Sequence, residues 1–149
     1  ASADEISRWH YGGIYSIYDF ERDAEDLSQL LDPRSWQDSY HAVTDGRGEL
    51  VGFFCFERKE EKTGAGLSVG VGLGLRPDLC GKGLGKDFLQ AGLLFAGERY
   101  RPARFLLSVA DFNERAIRLY RGAGFESDGF FMNDTNGGRY RFLRMVRKA

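Results

Sequence analysis

Hydrophobic positions in the second half of the chain recur with the period of a helix in two places. Apolar residues at positions 84, 88, 91 and 95 lie on one face of a predicted helix from Leu84 to Tyr100. A second helix is predicted after Asn113, a good N-cap residue, and it ends at Gly124, the residue type that often terminates helices. Runs rich in β-branched and aromatic residues stand between these helices and predict strands.

Turn residues divide the rest of the chain into short helices and hairpins. A short helix is predicted over 2–8, and an amphipathic helix over 21–31 ends before Pro33. Strand-forming runs flank residues 45–48, Asp-Gly-Arg-Gly, and residues 136–138, Asn-Gly-Gly, so each turn predicts a hairpin. The order of helices, hairpin, strand, helix, strand, helix and hairpin predicts a mixed α/β domain with a central sheet.

Composition and charge limit the class of protein. The chain has 149 residues, 42% of them hydrophobic, and no repeat or linker, so we expect a single domain over 1–149. A net charge of −1 produces no overall electrostatic field that would attract nucleic acid or an anionic membrane. No apolar run approaches the ~20 residues of a membrane-spanning helix. Two cysteines and two histidines without ligand spacing favour a cytoplasmic, metal-free protein. The chain opens on Ala1 rather than Met, which is compatible with residues missing before it.

One predicted strand, residues 66–75, is unusually rich in glycine. Its sequence "GLSVGVGLGL" puts Gly70, Gly72 and Gly74 on one face. Glycine weakens a strand, so we expect another group to approach that face closely.

A glycine loop separates this strand from the next helix and carries the clearest chemical signal. Three alternate glycines and two lysines occupy it: Gly81, Lys82, Gly83, Gly85 and Lys86. The N–H groups of a helix N-terminus bind anions, and glycines let an extended diphosphate lie against the backbone. The spacing fails the Walker A pattern, because Asp87 stands where Ser or Thr is needed, and the dinucleotide pattern, because the third glycine falls one residue early. A nucleotide-dependent oxidoreductase or kinase and a loop without a ligand stay open as alternatives.

Two stretches together resemble a known family. "RPDLCGKGLGKDFLQ" resembles the acyl-CoA pyrophosphate loop of the GNAT superfamily of acyl-CoA N-acyltransferases, written Arg/Gln-x-x-Gly-x-Gly/Ala. "LLSVADFNERAIRLYRGAGFE" resembles the strand and helix that follow, with Asn-x-x-Ala-x-x-Leu-Tyr ending in Gly-Phe. The strong match covers residues 73–125, and its one departure is Cys80 at the Arg/Gln position of the loop.

The resemblance implies a fold and a cofactor site. The fold would be a central mixed, mostly antiparallel sheet flanked by helices, in which two neighbouring parallel strands splay apart and hold acetyl-CoA. By similarity, the backbone of Leu73, Gly74 and Leu75 would pair with the pantetheine arm and the acetyl carbonyl, and Asn113 would bind the pantetheine. The loop would hold the diphosphate through Gly81, Lys82, Gly83, Leu84, Gly85 and Lys86. The simpler alternative for Asn113 is a helix cap without a ligand.

The resemblance also implies a reaction. The acetyl group of acetyl-CoA would pass to a primary amine by direct attack through a tetrahedral intermediate, stabilised by backbone N–H groups of the first strand. Tyr120 would protonate the leaving thiolate as a general acid, unless it only packs in the core beside Ala116 and Ala123. Some relatives that acetylate protein N-termini carry a Glu where this chain has Ser108. The base is therefore a residue elsewhere, a water, or unnecessary because the acceptor amine has a low pKa. The candidate residues are Glu57, His41 and Asp111, and none is assigned.

The acceptor stays open. Aromatic residues crowd the first third of the chain and predict either an amine pocket or core packing: Trp9, Tyr11, Tyr15, Tyr18, Phe20, Trp36 and Tyr40. The acidic stretch "DFERDAEDL" is either a solvated helix face or an attraction for a cationic acceptor. We expect a small-molecule or peptide amine as acceptor, and an uncovered sheet edge would allow a homodimer. The alternative function is a non-catalytic acyl-CoA-binding sensor.

Overall fold

A computed structural model of the chain describes residues 2–11, 24–60, 66–135 and 138–149. The predicted aromatic residues Tyr15, Tyr18 and Phe20 lie outside the described residues, as does the acidic stretch up to Asp23.

The described residues form five α-helices and six strands. The helices are α1 Ser2–Ser7, α2 Ala24–Leu31, α3 Ser35–Asp38, α4 Gly85–Tyr100 and α5 Glu114–Gly122. The strands are β1 Tyr40–Thr44, β2 Leu50–Glu60, β3 Leu67–Leu75, β4 Arg104–Ala110, β5 Glu126–Thr135 and β6 Gly138–Lys148. Both predicted hairpins and the predicted helices are present, whereas α3 and a 3-10 turn over Pro77–Leu79 were not predicted.

The strands form one sheet in the order β1-β2-β3-β4-β6-β5. All neighbours are antiparallel except β3 and β4, which are parallel, so the predicted mixed, mostly antiparallel sheet is confirmed. The parallel pair is short, because only Ser68–Gly70 and Arg104–Leu106 are matched. Beyond these residues the two strands no longer pair with each other.

Helices cover both faces of the sheet. Successive strand residues point to opposite faces, and the neighbours Phe53 and Phe54 of β2 accordingly lie in different buried clusters. Phe54 belongs to the main core, which includes Leu89 of α4 and Tyr120 of α5. Phe53 belongs to a cluster of aromatic and aliphatic residues from the first third of the chain, including Trp9. No helix in the described part of the chain is long and apolar enough to cross a membrane.

Candidate active site

A cavity of about 660 Å³ lies where β3 and β4 separate. Val71–Leu75 of β3 and Leu107–Val109 of β4 line it from the two strands. It is also lined by Lys86 from the face of α4 and α5, and by Phe53 from the opposite face. Because the parallel strands separate here, residues from both faces of the sheet line the cavity.

The glycine-rich face of β3 is approached closely at one of its three glycines. A Cβ atom at Gly74 would overlap the ring of Phe53, the residue opposite it on β2, and would lie 2.9 Å from the ring Cζ. At Gly70 and Gly72 the nearest atoms would be 3.7 Å and 3.4 Å from such a Cβ, so neither is as crowded. The predicted close approach thus comes from an aromatic ring at Gly74.

A short turn connects β3 to the glycine loop. Arg76 pairs with Asp78 at 2.6 Å (Nε to Oδ1) and donates from Nη1 to the Leu50 carbonyl at 2.8 Å. This hydrogen bond from Arg76 lowers the pKa of the Asp78 carboxyl. The turn ends at Cys80, whose thiol donates to the Leu75 carbonyl at 3.7 Å, so the start of the loop is held against the end of β3.

The glycine loop leads directly into α4. Gly81 and Gly83 have φ angles of +74° and +76°, in the left-handed region that favours glycine. Leu84 occupies the N-cap position and provides no side-chain hydrogen bond, so it does not cap the first N–H groups of α4. Cavity-lining residues of this segment are Cys80, Gly81, Gly83, Gly85 and Lys86. The predicted site residues Lys82 and Leu84 are exposed and are not among the described residues that line the cavity.

Helix α5 is fixed at both ends, as predicted. The side chain of Asn113 accepts a hydrogen bond from the Ala116 N–H at 3.2 Å and caps the first turn. Gly124 has φ +97°, its N–H donates to the Arg121 carbonyl, and the next N–H, of Phe125, donates to the Tyr120 carbonyl, both at 3.0 Å. This pair of hydrogen bonds is the Schellman motif.

One face of α5 lies against the glycine loop. Arg115, Ala116, Leu119 and Tyr120 all line the cavity. A Cβ at Gly81 would lie 3.1 Å from Nη1 of Arg115, and a Cβ at Gly85 would lie 3.0 Å from Cδ2 of Leu119. The prediction from the sequence did not include Arg115. Its only sequence signal is its spacing, since residues 115, 116, 119 and 120 share one helix face.

The structure brings most of the predicted site residues to one cavity. Tyr120 lines it while only 9% exposed, and its ring meets that of Phe125 edge-on with centroids 6.2 Å apart. Tyr120 therefore belongs to the core and to the cavity wall at once. The predicted residues that share this wall are Leu73, Gly74, Leu75, Gly81, Gly83, Gly85, Lys86 and Asn113.

Aromatic side chains form the wall on the opposite face. Tyr11 lines the cavity, and its hydroxyl donates to the Leu75 carbonyl at 3.0 Å. Tyr40 and Phe53 also line it, with ring centroids 6.2 Å apart. Trp9 and Trp36 pack behind them in the second cluster without lining the cavity. The predicted aromatic region thus supplies both core packing and cavity wall.

The lining residues in the described part of the chain include no carboxylate, and Ser108 stands at the position considered for a base. Asp111 pairs with Arg141 at 2.8 Å, and the His41 ring lies 5.7 Å and 5.0 Å from the rings of Phe56 and Phe95. Glu57 is exposed on β2, and none of these three candidates lines the cavity. The described residues also contain no group of three side chains that could hold a metal ion.

Comparison with protein families and curated proteins gives consistent matches. A model of the acetyltransferase (GNAT) family matches residues 3–125. The mycothiol acetyltransferase of Thermobifida fusca (strain YX) is 38% identical over 111 residues, which cover 68% of this chain and 33% of that protein. The spermine/spermidine N(1)-acetyltransferase of Bacillus subtilis (strain 168) is 45% identical over 57 residues, which cover 38% of this chain and 36% of that protein. The match therefore spans about a third of the length of these relatives.

Solved structures share the fold. A chimera of the spermidine N-acetyltransferase SpeG from Vibrio cholerae and hSSAT has a TM-score of 0.75 and 18% identity, covering 99% of this chain and 89% of that chain. A putative phosphinothricin N-acetyltransferase has a TM-score of 0.62 and 20% identity, covering 73% of this chain and 67% of that chain. At these identities the likeness establishes the fold alone.

Proposed function

The chain belongs to the acetyltransferase (GNAT) family, and we propose that it transfers an acetyl group from acetyl-CoA to a primary amine. The observation that carries this proposal is the separation of β3 and β4, which opens a cavity next to an uncapped helix N-terminus and a glycine loop. A diphosphate and an extended arm need these two features side by side.

The residues present fit acetyl-CoA, which when bound supplies an acetyl group activated as a thioester. The left-handed Gly81 and Gly83 and the first N–H groups of α4 would form a backbone cradle for the diphosphate. Lys86, which lines the cavity in the first turn of α4, adds positive charge there. The backbone of Leu73, Gly74 and Leu75 would hold the arm along the open edge of β3, and Asn113 would bind it from the start of α5.

Tyr120 and the backbone of β3 carry the proposed chemistry. The N–H groups of β3 at the gap would stabilise the negative charge that develops on the carbonyl oxygen when the amine attacks. Tyr120 would donate its hydroxyl proton to the departing thiolate, and the proton released from the attacking nitrogen would pass through water and restore the Tyr120 hydroxyl. Because no described carboxylate lines the cavity, the proposal assigns no base on the protein and requires the amine to reach the carbonyl in its neutral form.

The acceptor would enter on the face of Tyr11, Tyr40 and Phe53. Relatives named for mycothiol and for spermine and spermidine differ widely in acceptor, so we propose only a small-molecule or peptide amine. The cytoplasmic location and the homodimer stay predictions, and the mass of the protein in solution tests the second.

Calorimetric titration with acetyl-CoA tests the cofactor, with NAD and ATP as controls. We expect saturable binding of acetyl-CoA and no heat from the controls. The same preparation is then incubated with a panel of monoamines, polyamines and peptides while released thiol is measured. Amine-dependent release of the CoA thiol confirms the transferase, and acetyl-CoA binding without thiol release in the presence of any amine favours the sensor. If acetyl-CoA does not bind, both the transferase and the sensor are excluded.

A further inference from the structure

Three basic side chains close to the glycine loop differ in where they lie. All three are exposed, and only Lys82, in the loop itself between the two left-handed glycines, is not among the described residues that line the cavity. Lys86 lines the cavity from the first turn of α4. Arg115 lines it from α5, on the other side of the loop.

We propose that Arg115 binds the diphosphate of acetyl-CoA from across the loop and supplies the charged contact that Lys82 does not. The proposal rests on the function proposed above and names a residue that the loop pattern leaves out. Arg115 would also take the place of the Arg or Gln side chain of the loop pattern, because this chain has Cys80 at that position.

The position of Arg115 relative to the loop carries the proposal. Its Nη1 atom would be 3.1 Å from a Cβ at Gly81, so the guanidinium lies directly over a loop residue that has no side chain. A group bound against the backbone of Gly81 would therefore lie within reach of the guanidinium. The planar fork of an arginine donates two parallel hydrogen bonds to phosphate oxygens, which a lysine does not.

Two further observations agree with this placement. Arg115 is the second residue of α5, and the Asn113 cap at 3.2 Å fixes the backbone of that first turn. Burial raises the pKa of the Cys80 thiol, and the positive charge of Arg115 opposes that rise, which places this charge near the start of the loop. Loop amides on one side and Arg115 on the other would enclose the diphosphate.

Calorimetry of Arg115→Met with acetyl-CoA tests the proposal. We expect the dissociation constant to rise about tenfold or more, as for the loss of a hydrogen-bonded charge contact. The variant should also be less sensitive to added salt than the parent protein, because one screened charge contact is gone. Arg115→Lys should recover part of the affinity. Lys82→Met in the loop should weaken binding less than Arg115→Met does. The matched control is Arg118→Met, which removes another exposed arginine of α5 and should bind within about twofold of the parent.

Each other outcome overturns the proposal. Unchanged affinity in Arg115→Met, or an equal loss in Lys82→Met, would show that Arg115 makes no specific contact. Weaker binding with the salt sensitivity of the parent would show that Arg115 only supports the fold of the site. Failure of the parent protein to bind acetyl-CoA is a separate result, because it removes the proposed function before Arg115 is tested.

Discussion

Tyr120 is a residue at which core packing coincides with a proposed catalytic role. It is only 9% exposed and contacts Phe125, yet it also lines the cavity. Phenylalanine keeps the ring and its packing while it removes the hydroxyl, so Tyr120→Phe separates the two roles. We expect kcat to fall about 100-fold, a typical contribution of a general acid, with little change in acetyl-CoA affinity.

The control for this variant is Tyr100→Phe, which removes a hydroxyl from a half-buried tyrosine that is not among the described residues lining the cavity. Steady-state kinetics with saturating amine and calorimetry with acetyl-CoA give the two readouts. If kcat were the same in Tyr120→Phe as in the parent protein, Tyr120 would not be the acid and its place in the wall would be a matter of packing alone.

Gly83 tests the diphosphate cradle at a position with space for a side chain. Its φ angle is +76°, and a Cβ there would meet no atom within 4 Å. Asp and Asn tolerate this backbone region better than other residues, and they differ mainly in charge. We expect Gly83→Asp to abolish acetyl-CoA binding measured by calorimetry, because its carboxylate repels the diphosphate, while Gly83→Asn retains most of it. Equal binding by both variants would mean that no anion lies at the loop.

The same loop shows what a local pattern misses at the scale of single residues. The alternate glycines predicted a diphosphate cradle, and four of the six predicted loop residues line the cavity: Gly81, Gly83, Gly85 and Lys86. Lys82, which stands between the two left-handed glycines, and Leu84 are not among the described residues that line it. Arg115 was missed because a basic residue on an amphipathic helix is typical of a solvated face, and only the packing of α5 against the loop distinguishes it.

Helix α4 packs on the sheet through one of its glycines. A Cβ at Gly92 would overlap the ring of Phe54 and lie 2.8 Å from its Cδ1, whereas a Cβ at Gly97 in the same helix would meet nothing within 4 Å. Alanine is normally the better helix former. We expect Gly92→Ala to lower the free energy of unfolding by about 1–3 kcal/mol through overpacking.

The matched control is Gly97→Ala, which should raise the free energy of unfolding by about 0.5–1 kcal/mol through its helix propensity alone. Urea denaturation followed by circular dichroism measures both variants. Stabilisation of similar size in both would contradict the close contact between α4 and β2.

At the scale of elements, prediction succeeded where the signal is local. The caps of α5 and the turn of the first hairpin follow from residue types at fixed spacing, and the structure contains them. The strands of the second hairpin pair with each other, and residues 136–137 of its turn lie outside the described part of the chain. The four-residue helix α3 and the 3-10 turn are instead accompanied by side-chain contacts outside their own residues. Trp36 donates to the Leu30 carbonyl at 2.8 Å, six residues away, and Arg76 donates to the Leu50 carbonyl, 26 residues away. The separation of β3 and β4 has no local signal either, and only the family resemblance predicted it.

At the scale of the whole molecule, the cavity is lined by residues from both faces of the sheet. In the proposed reaction, acetyl-CoA lies beside α4 and α5, and the amine enters past Tyr40 and Phe53 on the other face. Two substrates that approach from opposite faces do not displace each other, so both can be bound before the acetyl group moves.

A covalent acetyl-enzyme would need a nucleophile on this path, and the cysteine on the acceptor face is poorly suited to the role. Cys55 lines the cavity, but burial raises the pKa of its thiol to about 11, so it is almost entirely protonated near neutral pH. We therefore expect double-reciprocal plots of initial rate against amine, at several acetyl-CoA concentrations, to intersect. Cys55→Ser should give the same pattern. Parallel lines in the parent protein, together with loss of turnover in Cys55→Ser, would instead indicate that Cys55 carries the acetyl group as a covalent intermediate. That result would contradict direct attack by the amine.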